Sequence, residues 1–397
     1  MRIATSPWTR EAGASRSVAL EVLINGPISR SDIARRLELS AGSLTRLSAP
    51  LMESGLLVEV GEHTDGRAGR PSRLLDIVPE SRHFIGMKLT ADTVLGVVTD
   101  LRANVLDVVT ADLDSRDPDD VAATIASVAL ELAERVPSVT ALGVGIGGLV
   151  GPRGLVRSAP FLQWTDVALG SKLEALTGLA TVVDNDLVAF TEYEHWFGAG
   201  RGHDRFAVLT LGAGIGYGLV IHDEIVTNED SGIGLVGHWP LDPFGPVCPS
   251  GHRGCAKSVL EHGAIVANVS TAMGRSVTYE EALELAAQGE PAPRRLIDEA
   301  GHGLGRLLAA VANLTLPELV ILGGEGVRLV DVARDAVEAG IALDRDPRAQ
   351  PLALVTTSGD NTEWCRGAAV LAIQKYVLNK QSVAFEPVNV GRRSASA

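Results

Sequence analysis

Phe206-Ala207-Val208-Leu209-Thr210-Leu211-Gly212-Ala213-Gly214-Ile215-Gly216 is the stretch that decides the fold: an apolar run of strand length that empties into a glycine-rich turn. Such a run reads as a strand buried on both faces, and the glycines let backbone amides come close to a neighbour or an anion. Upstream, Phe84-Ile85-Gly86-Met87-Lys88-Leu89 and Val94-Leu95-Gly96-Val97-Val98 form an adjacent strand pair, and Asn104-Val105-Leu106 opens a third strand. An alanine-rich helix is expected over about 121–135, then a strand and glycine turn, Leu142–Gly148. Downstream, Val320-Ile321-Leu322-Gly323-Gly324 repeats the strand-then-glycine pattern. Strands interleaved with helices, in two sets, describe an α/β body of two lobes.

The first eighty residues read differently. Val18, Leu20, Val22, Leu23 and Ile24 mark a helix that Asn25-Gly26-Pro27 ends. Ser29 or Ser31 can cap a second helix running to Leu37, and Ser40 a third. Ile33, Ala34, Leu37, Leu39, Leu44 and Leu47 sit where two helices crossing at a tight turn bury side chains. This resembles a helix-turn-helix. Glu38 stands where the turn often has glycine, and Pro50 is expected to kink or divide the third helix before Leu51 and Met52. Leu56–Val60 and Leu74–Ile77 flank a polar tip and read as a hairpin wing. Its Gly66-Arg67-Ala68-Gly69-Arg70-Pro71 resembles the hooks that set arginine in a narrow minor groove. The third helix points Ala41, Gly42, Ser43, Thr45, Arg46 and Ser48 outward. Arg46 can reach a guanine edge or a phosphate. The expected DNA-contacting residues are thus Ser40, Ser43, Thr45, Arg46, Arg67 and Arg70.

Charge supports that division. The chain has 397 residues and a net charge of −14. Residues 1–80 hold ten Arg, no Lys and ten acidic residues; the remainder holds 25 basic and 39 acidic ones. An acidic body repels phosphates, so contact with double-stranded DNA belongs to the neutral head. Apolar content is 46% and charged content 21%, as in a globular protein with large cores. No apolar run reaches membrane-spanning length and the N-terminus lacks the layout of a secretory signal, so a cytoplasmic location without a membrane partner is expected. The three cysteines, Cys248, Cys255 and Cys365, are too few for a disulfide framework; two lie seven apart in a loop-like segment, worth testing as a metal site.

Val183-Asp184-Asn185-Asp186, then Trp196-Phe197-Gly198-Ala199-Gly200-Arg201-Gly202, Gly237-His238, the run from Cys248 to Cys255 and Leu322-Gly323-Gly324 together resemble the ROK family of repressors and sugar kinases, over about residues 15–380. The winged head aligns the chain with the repressors. The resemblance implies a two-lobed actin-like ATPase (ribonuclease H-like) fold with a sugar bound between lobes. It also implies a homodimer or dimer of dimers reading an inverted repeat, whose half-sites lie roughly 10–20 base pairs apart. The expected units are a head at 1–80, a first lobe at 81–200 to which a helix at 363–380 returns, a second lobe at 201–362, and a disordered tail at 385–397.

In that family Asp186 matches the catalytic base and Asn185 its sugar-binding neighbour, although both residue types also cap helices. His238 matches a sugar-contacting residue. Two further contacting glutamates are absent: Leu235 and Lys257 stand in their places, and Lys257 can pair with an acidic or phosphorylated sugar. The kinases' phosphate loop, Asp-x-Gly-x-Thr, is here Lys88, Thr90 and Asp92, and the Gly-Thr-Gly of the second loop is Gly212-Ala213-Gly214. A cation replaces a metal-organising anion, a branched side chain replaces a glycine, and a hydroxyl is missing, all of which argue against use of ATP and Mg²⁺. Relatives hold structural Zn²⁺ with one His and three Cys; this chain offers His238, Cys248 and Cys255, with Ser250 at the remaining position and His252 near enough to replace it. The reading is a non-enzymatic regulator, expected to repress carbohydrate-metabolism genes in response to a sugar or sugar derivative. Its rivals are an active sugar kinase and a DNA-binding regulator that senses no ligand.

Overall fold

The computed structural model describes residues 14–63 and 72–378. Arg67, Arg70 and the tail at 385–397 lie outside the described residues.

The head contains α1 (Ala14–Asn25), β1 (Ile28–Ser29), α2 (Arg30–Arg36), α3 (Ala41–Glu53), β2 (Leu57–His63) and β3 (Ser72–Ile77). Val18, Val22, Leu23, Ile33, Leu44 and Leu75 are buried together where the three helices meet the strands. Ser29 Oγ accepts from the Asp32 amide and Ser40 Oγ from the Ser43 amide, each at 3.1 Å, so each hydroxyl satisfies an amide that the first helical turn leaves open. Glu38 takes the left-handed conformation, φ 52°, that the turn between α2 and α3 requires. Two expectations need correction. α3 runs unbroken through Pro50, because Leu44 and Leu51 on either side of it are anchored in the core. Ser48 is buried, not outward, and bonds back to Thr45 O at 3.3 Å. β1, pairing Ile28 with Leu75, is too short to leave a periodic signal.

In the body, β4 (His83–Leu89), β5 (Thr93–Thr99) and β6 (Val105–Asp112) precede α4 (Pro118–Glu134) and β7 (Val139–Ile146). A small sheet of β8 (Leu149–Gly151), β9 (Leu155–Ala159) and β10 (Trp164–Val167) leads to α5 (Leu169–Thr177), β11 (Ala180–Asn185) and α6 (Asp186–Trp196). The chain then lays down β12 (Arg205–Leu211), β13 (Ile215–Ile221) and β14 (Glu224–Ile225). A helical block follows: α7 (Ala256–Leu260), α8 (His262–Met273), α9 (Tyr279–Ala287) and α10 (Pro291–Thr315). β15 (Leu319–Gly323), α11 (Leu329–Val332), α12 (Arg334–Asp344), β16 (Leu354–Thr356) and α13 (Asn361–Leu378) complete it.

Two sheets share one plan, β6-β5-β4-β7-β11 and β14-β13-β12-β15-β16. In each, the first three strands form an antiparallel meander and the last two add in parallel to the first. That duplication gives the two-lobed actin-like architecture. α13 lies on the first sheet so closely that a Cβ at Gly143 would stand 1.8 Å from Ala368 O, which only glycine allows. On its other side it packs against α6, and near its C-terminal end against α1. Among the described residues no helix is long and apolar enough to cross a membrane.

Candidate functional site

Three groups of predicted residues fall in three places. On the head, α3 exposes Ala41, Gly42, Thr45 and Arg46. Ser40 and Ser43 hydroxyls are 2.9 Å apart and serve the cap, and Thr45 Oγ1 donates to Ala41 O at 3.0 Å. Arg46 is exposed and makes no ion pair among the described residues, whereas Arg35, Arg36 and Arg73 each meet a carboxylate. A guanidinium without an internal partner keeps its fork free for an external acceptor.

The second group lines the gap between the sheets. Asp186 begins α6 with one carboxylate oxygen on the Leu187 amide, 2.9 Å, and the other 3.8 Å from Lys88 Nζ. That ammonium is nearly buried and sits 3.5 Å above the ring centroid of Trp364, which stacks on Phe190. Lys88 thus forms a fixed counter-ion, held by an aromatic face, directly at the acidic residue. Asn185 is held from both ends of its amide: Oδ1 accepts from the amides of Leu187 (3.0 Å) and Val188 (3.1 Å), and Nδ2 donates to Gly148 O at 2.9 Å. It is buried and caps α6 at the edge of the cleft. Half-exposed Phe161 approaches Asp186 across Gly147, whose absent Cβ would lie 3.6 Å from that ring. Leu235 is 62% exposed beside the turn bearing His238. Lys257 pairs with Glu261, 3.2 Å away and one helical turn on.

Both turns equivalent to phosphate loops have amides occupied from within, two in the first and one in the second. Between β4 and β5, Thr90 Oγ1 accepts from the Asp92 amide (3.3 Å) and the Thr93 amide (3.0 Å), while the Asp92 carboxylate points to solvent. Between β12 and β13, the Ala213 amide donates to Glu325 Oε1 at 3.3 Å. A Cβ at Gly212 would lie 2.5 Å from that same oxygen. Each turn therefore receives an oxygen acceptor where a phosphate would supply one. Glu325 and Trp364 escaped the sequence reading; the only local signal for the first is an acid directly after Gly323-Gly324.

The third group is the loop from His238 to Cys255. His238 Nδ1 is 3.0 Å from His252 Nδ1, and Cys248 Sγ lies 3.9 and 3.6 Å from those nitrogens. The three donor atoms fall within 4.8 Å of one another. Cys255 is not in that group; its thiol lies 3.8 Å from Ser258 Oγ. Ser250 is exposed. Burial and then the neighbouring His252 and Lys257 charges hold His238 below the usual imidazole range, which favours the neutral, ligating form. Burial raises the Cys248 thiol, but hydrogen bonds at His252 and Ser250 outweigh it and bring the thiol down to about 7. Gly254 is what lets the loop close: its Cβ would collide with Asp242 O at 1.6 Å. Two imidazoles and a readily ionised thiol suit a borderline cation such as zinc.

Comparison with known proteins gives one family. Residues 84–375 match the model of the ROK family. The chain is 24% identical over 367 residues to the DNA-binding transcriptional repressor Mlc of Escherichia coli, covering 88% of this chain and 90% of that one. It is 35% identical to a glucokinase of Thermotoga maritima, over 61% of this chain and 81% of that one. Among solved structures, a ROK family transcriptional regulator described as a homologue of the E. coli MLC protein superposes with a TM-score of 0.78 at 26% identity, covering 92% and 97% of the two chains. A Streptomyces griseus ROK glucokinase with glucose and AMPPNP superposes at 0.64 and 24% identity over 73% and 98%, a likeness of fold.

Proposed function

The chain belongs to the ROK family, and from that premise we propose that it is a cytoplasmic DNA-binding transcriptional regulator without kinase activity, repressing carbohydrate-metabolism genes in response to a sugar or sugar derivative. The observation that carries this reading is the self-occupation of both phosphate-loop turns by Thr90 and Glu325, together with the Lys88 counter-ion at Asp186. A nucleotide would have to displace two internal acceptors and then meet a lysine where a magnesium-ordering acid is required. Similarity to named repressors along nearly the whole chain, head included, points the same way.

In this reading the head (1–80) reads DNA through Arg46 and the exposed start of α3, with Ser40, Ser43 and Thr45 shaping that surface and Arg67 and Arg70 serving the minor groove. A homodimer presents two heads to an inverted repeat. The effector lies between a first lobe (81–200 with the returning helix) and a second lobe (201–362). Asp186 accepts from its hydroxyls, and Phe161 and Leu235 meet its apolar face. Its affinity must differ between two arrangements of the heads, or it shifts nothing. His238, Cys248 and His252, with Cys255 adjoining, would hold a zinc ion, which supplies a structural cross-link. The residues themselves then fix the turn that carries His238 beside the cleft.

Selection of operator DNA from a random pool, followed by quantitative binding, tests the proposal. Arg46→Ala should weaken the selected operator by about five- to 150-fold if it reads a base edge. ADP release with any sugar, lost on Asp186→Ala, would instead establish a kinase.

A further inference from the structure

A cavity of about 770 Å³ lies beside the cleft. Its lining includes Leu149, Asp184 and Ser231, chain neighbours of Gly148, Asn185 and Gly232; Asn185 Nδ2 donates to Gly148 O, and a Cβ at Gly232 would stand 2.4 Å from that carbonyl. Asp186, His238 and Lys257 do not line it. One wall is the face of α6 bearing Val188, Glu192 and His195, with Asp184 at the end of β11. A second is β14 and the loop after it, and the third is α13 through Leu371, Gln374 and Lys375.

The lining is short of cations where it is most enclosed. Asp184 accepts only from the Asn185 amide, 2.7 Å, and has no cation within ion-pair distance among the described residues. Glu192, 8% exposed, receives Gln374 Nε2 at 2.8 Å and stands 3.6 Å from His195. Burial, opposed by the Asn185 amide and reinforced by the Glu192 charge, pushes Asp184 up to about 6. His195 lies 3.6 Å from Glu192 and 3.5 Å from Asp223, and Lys375 is turned to Thr181 O, 2.9 Å. Arg157, exposed and without an ion pair among the described residues, is the other cation of the lining, which also includes Glu229 and Asp230. Val182, Val188, Ile225 and Leu371 give apolar wall between the charges. A largely desolvated carboxylate without a cationic partner gains most from an incoming cation, and the volume suits a small organic molecule.

We propose that this cavity is a second ligand site, separate from the cleft, for an organic cation: a primary amine or guanidinium on a short aliphatic body, its charge set on Asp184 and Glu192. The site has a route to the head. α13 turns Leu371 and Gln374 to the cavity, while Val370, Ile373 and Val377 are buried in the same core as Val18 and Val22 of α1. Tyr376 Oη accepts from Arg82 Nε at 3.2 Å on that side. A cation on Glu192 competes with its bond to Gln374 and so acts on the helix against which the head packs. That regulatory consequence rests on the DNA-binding reading; the binding itself does not.

Calorimetric titration of the intact protein with agmatine and with putrescine at ~0.15 M salt, which screens diffuse surface attraction, tests the site. Saturable one-site uptake of agmatine is expected. It should weaken at least about tenfold in Asp184→Asn and in Glu192→Gln, whose amide still accepts from Gln374, and be lost when Thr227→Trp fills the cavity; Asp186→Ala should leave it unchanged. No saturable uptake of either amine, or loss in Asp186→Ala with Glu192→Gln unaffected, would overturn the proposal. Operator affinity measured with and without agmatine reads the consequence separately: uptake by a protein that binds no DNA sinks the regulator reading and leaves the site standing.

Discussion

The turn between β4 and β5 and the turn between β12 and β13 occupy the same place in two copies of one sheet plan, yet they are closed by different means. In the first, the acceptor is a hydroxyl of the turn itself, Thr90, reaching amides two and three residues on. In the second, the acceptor arrives from Glu325, 112 residues away in sequence. The first closure is local and folds with the turn. The second is tertiary, hangs on one exposed carboxylate, and needs β15 in register beside β12 before it forms. Two unrelated side chains with the same electrostatic result indicate that an oxygen acceptor is needed at each turn whether or not phosphate supplies it.

The largest effect expected from breaking this arrangement is on the first lobe. Trp364 is 6% exposed, stacks on Phe190 with ring centroids 4.9 Å apart and supports Lys88. Trp364→Ala should cost about 3 kcal/mol or more in urea unfolding. A loss below ~1 kcal/mol would mean that α13 repacks and the lysine has another support. Lys88→Ala comes next, at about 2 kcal/mol, because it removes the cation–π contact and leaves Asp186 partly buried without its counter-ion. A double-mutant cycle with Asp186→Asn should show coupling near half of that; additivity would detach the lysine from the carboxylate.

The same contrast explains what could be read in advance. The alternation of apolar runs and glycine turns announced both lobes, and the spacing of Ile33, Leu37, Leu44 and Leu47 announced the helix pair of the head. Lys88, Thr90 and Ala213 were visible as departures from a phosphate loop, since each lies inside the motif it alters. Glu325 and Trp364 were not, because their role is created by strand order and by the return of α13, which no local pattern encodes. Asn185 was legible both as a ligand contact and as a cap, and its bonds go to the cap and to Gly148. Ser48 was misjudged for a related reason: a helix face shows which side is apolar, but Ser48 sits at its margin and is covered by the body of the head.

The two smallest effects sharpen the comparison most. Thr90→Ala strips the acceptor from two amides of its turn, and by analogy with loss of a helix cap should cost about 1 kcal/mol, with faster exchange at the Asp92 and Thr93 amides. Glu325→Ala should change stability by no more than about 0.5 kcal/mol, because the carboxylate is exposed and water can take over the Ala213 amide. What it should change is anion affinity. With the carboxylate gone, the amide and the glycines around it regain their attraction for an external anion, and pyrophosphate should raise the melting temperature of Glu325→Ala but not of the parent. Thr90→Ala should not gain this response, since the Lys88–Asp186 pair and the exposed Asp92 still surround its turn. If parent and Glu325→Ala respond alike, the carboxylate does not hold the anion's place, and the second lobe owes the closure of its turn to something else.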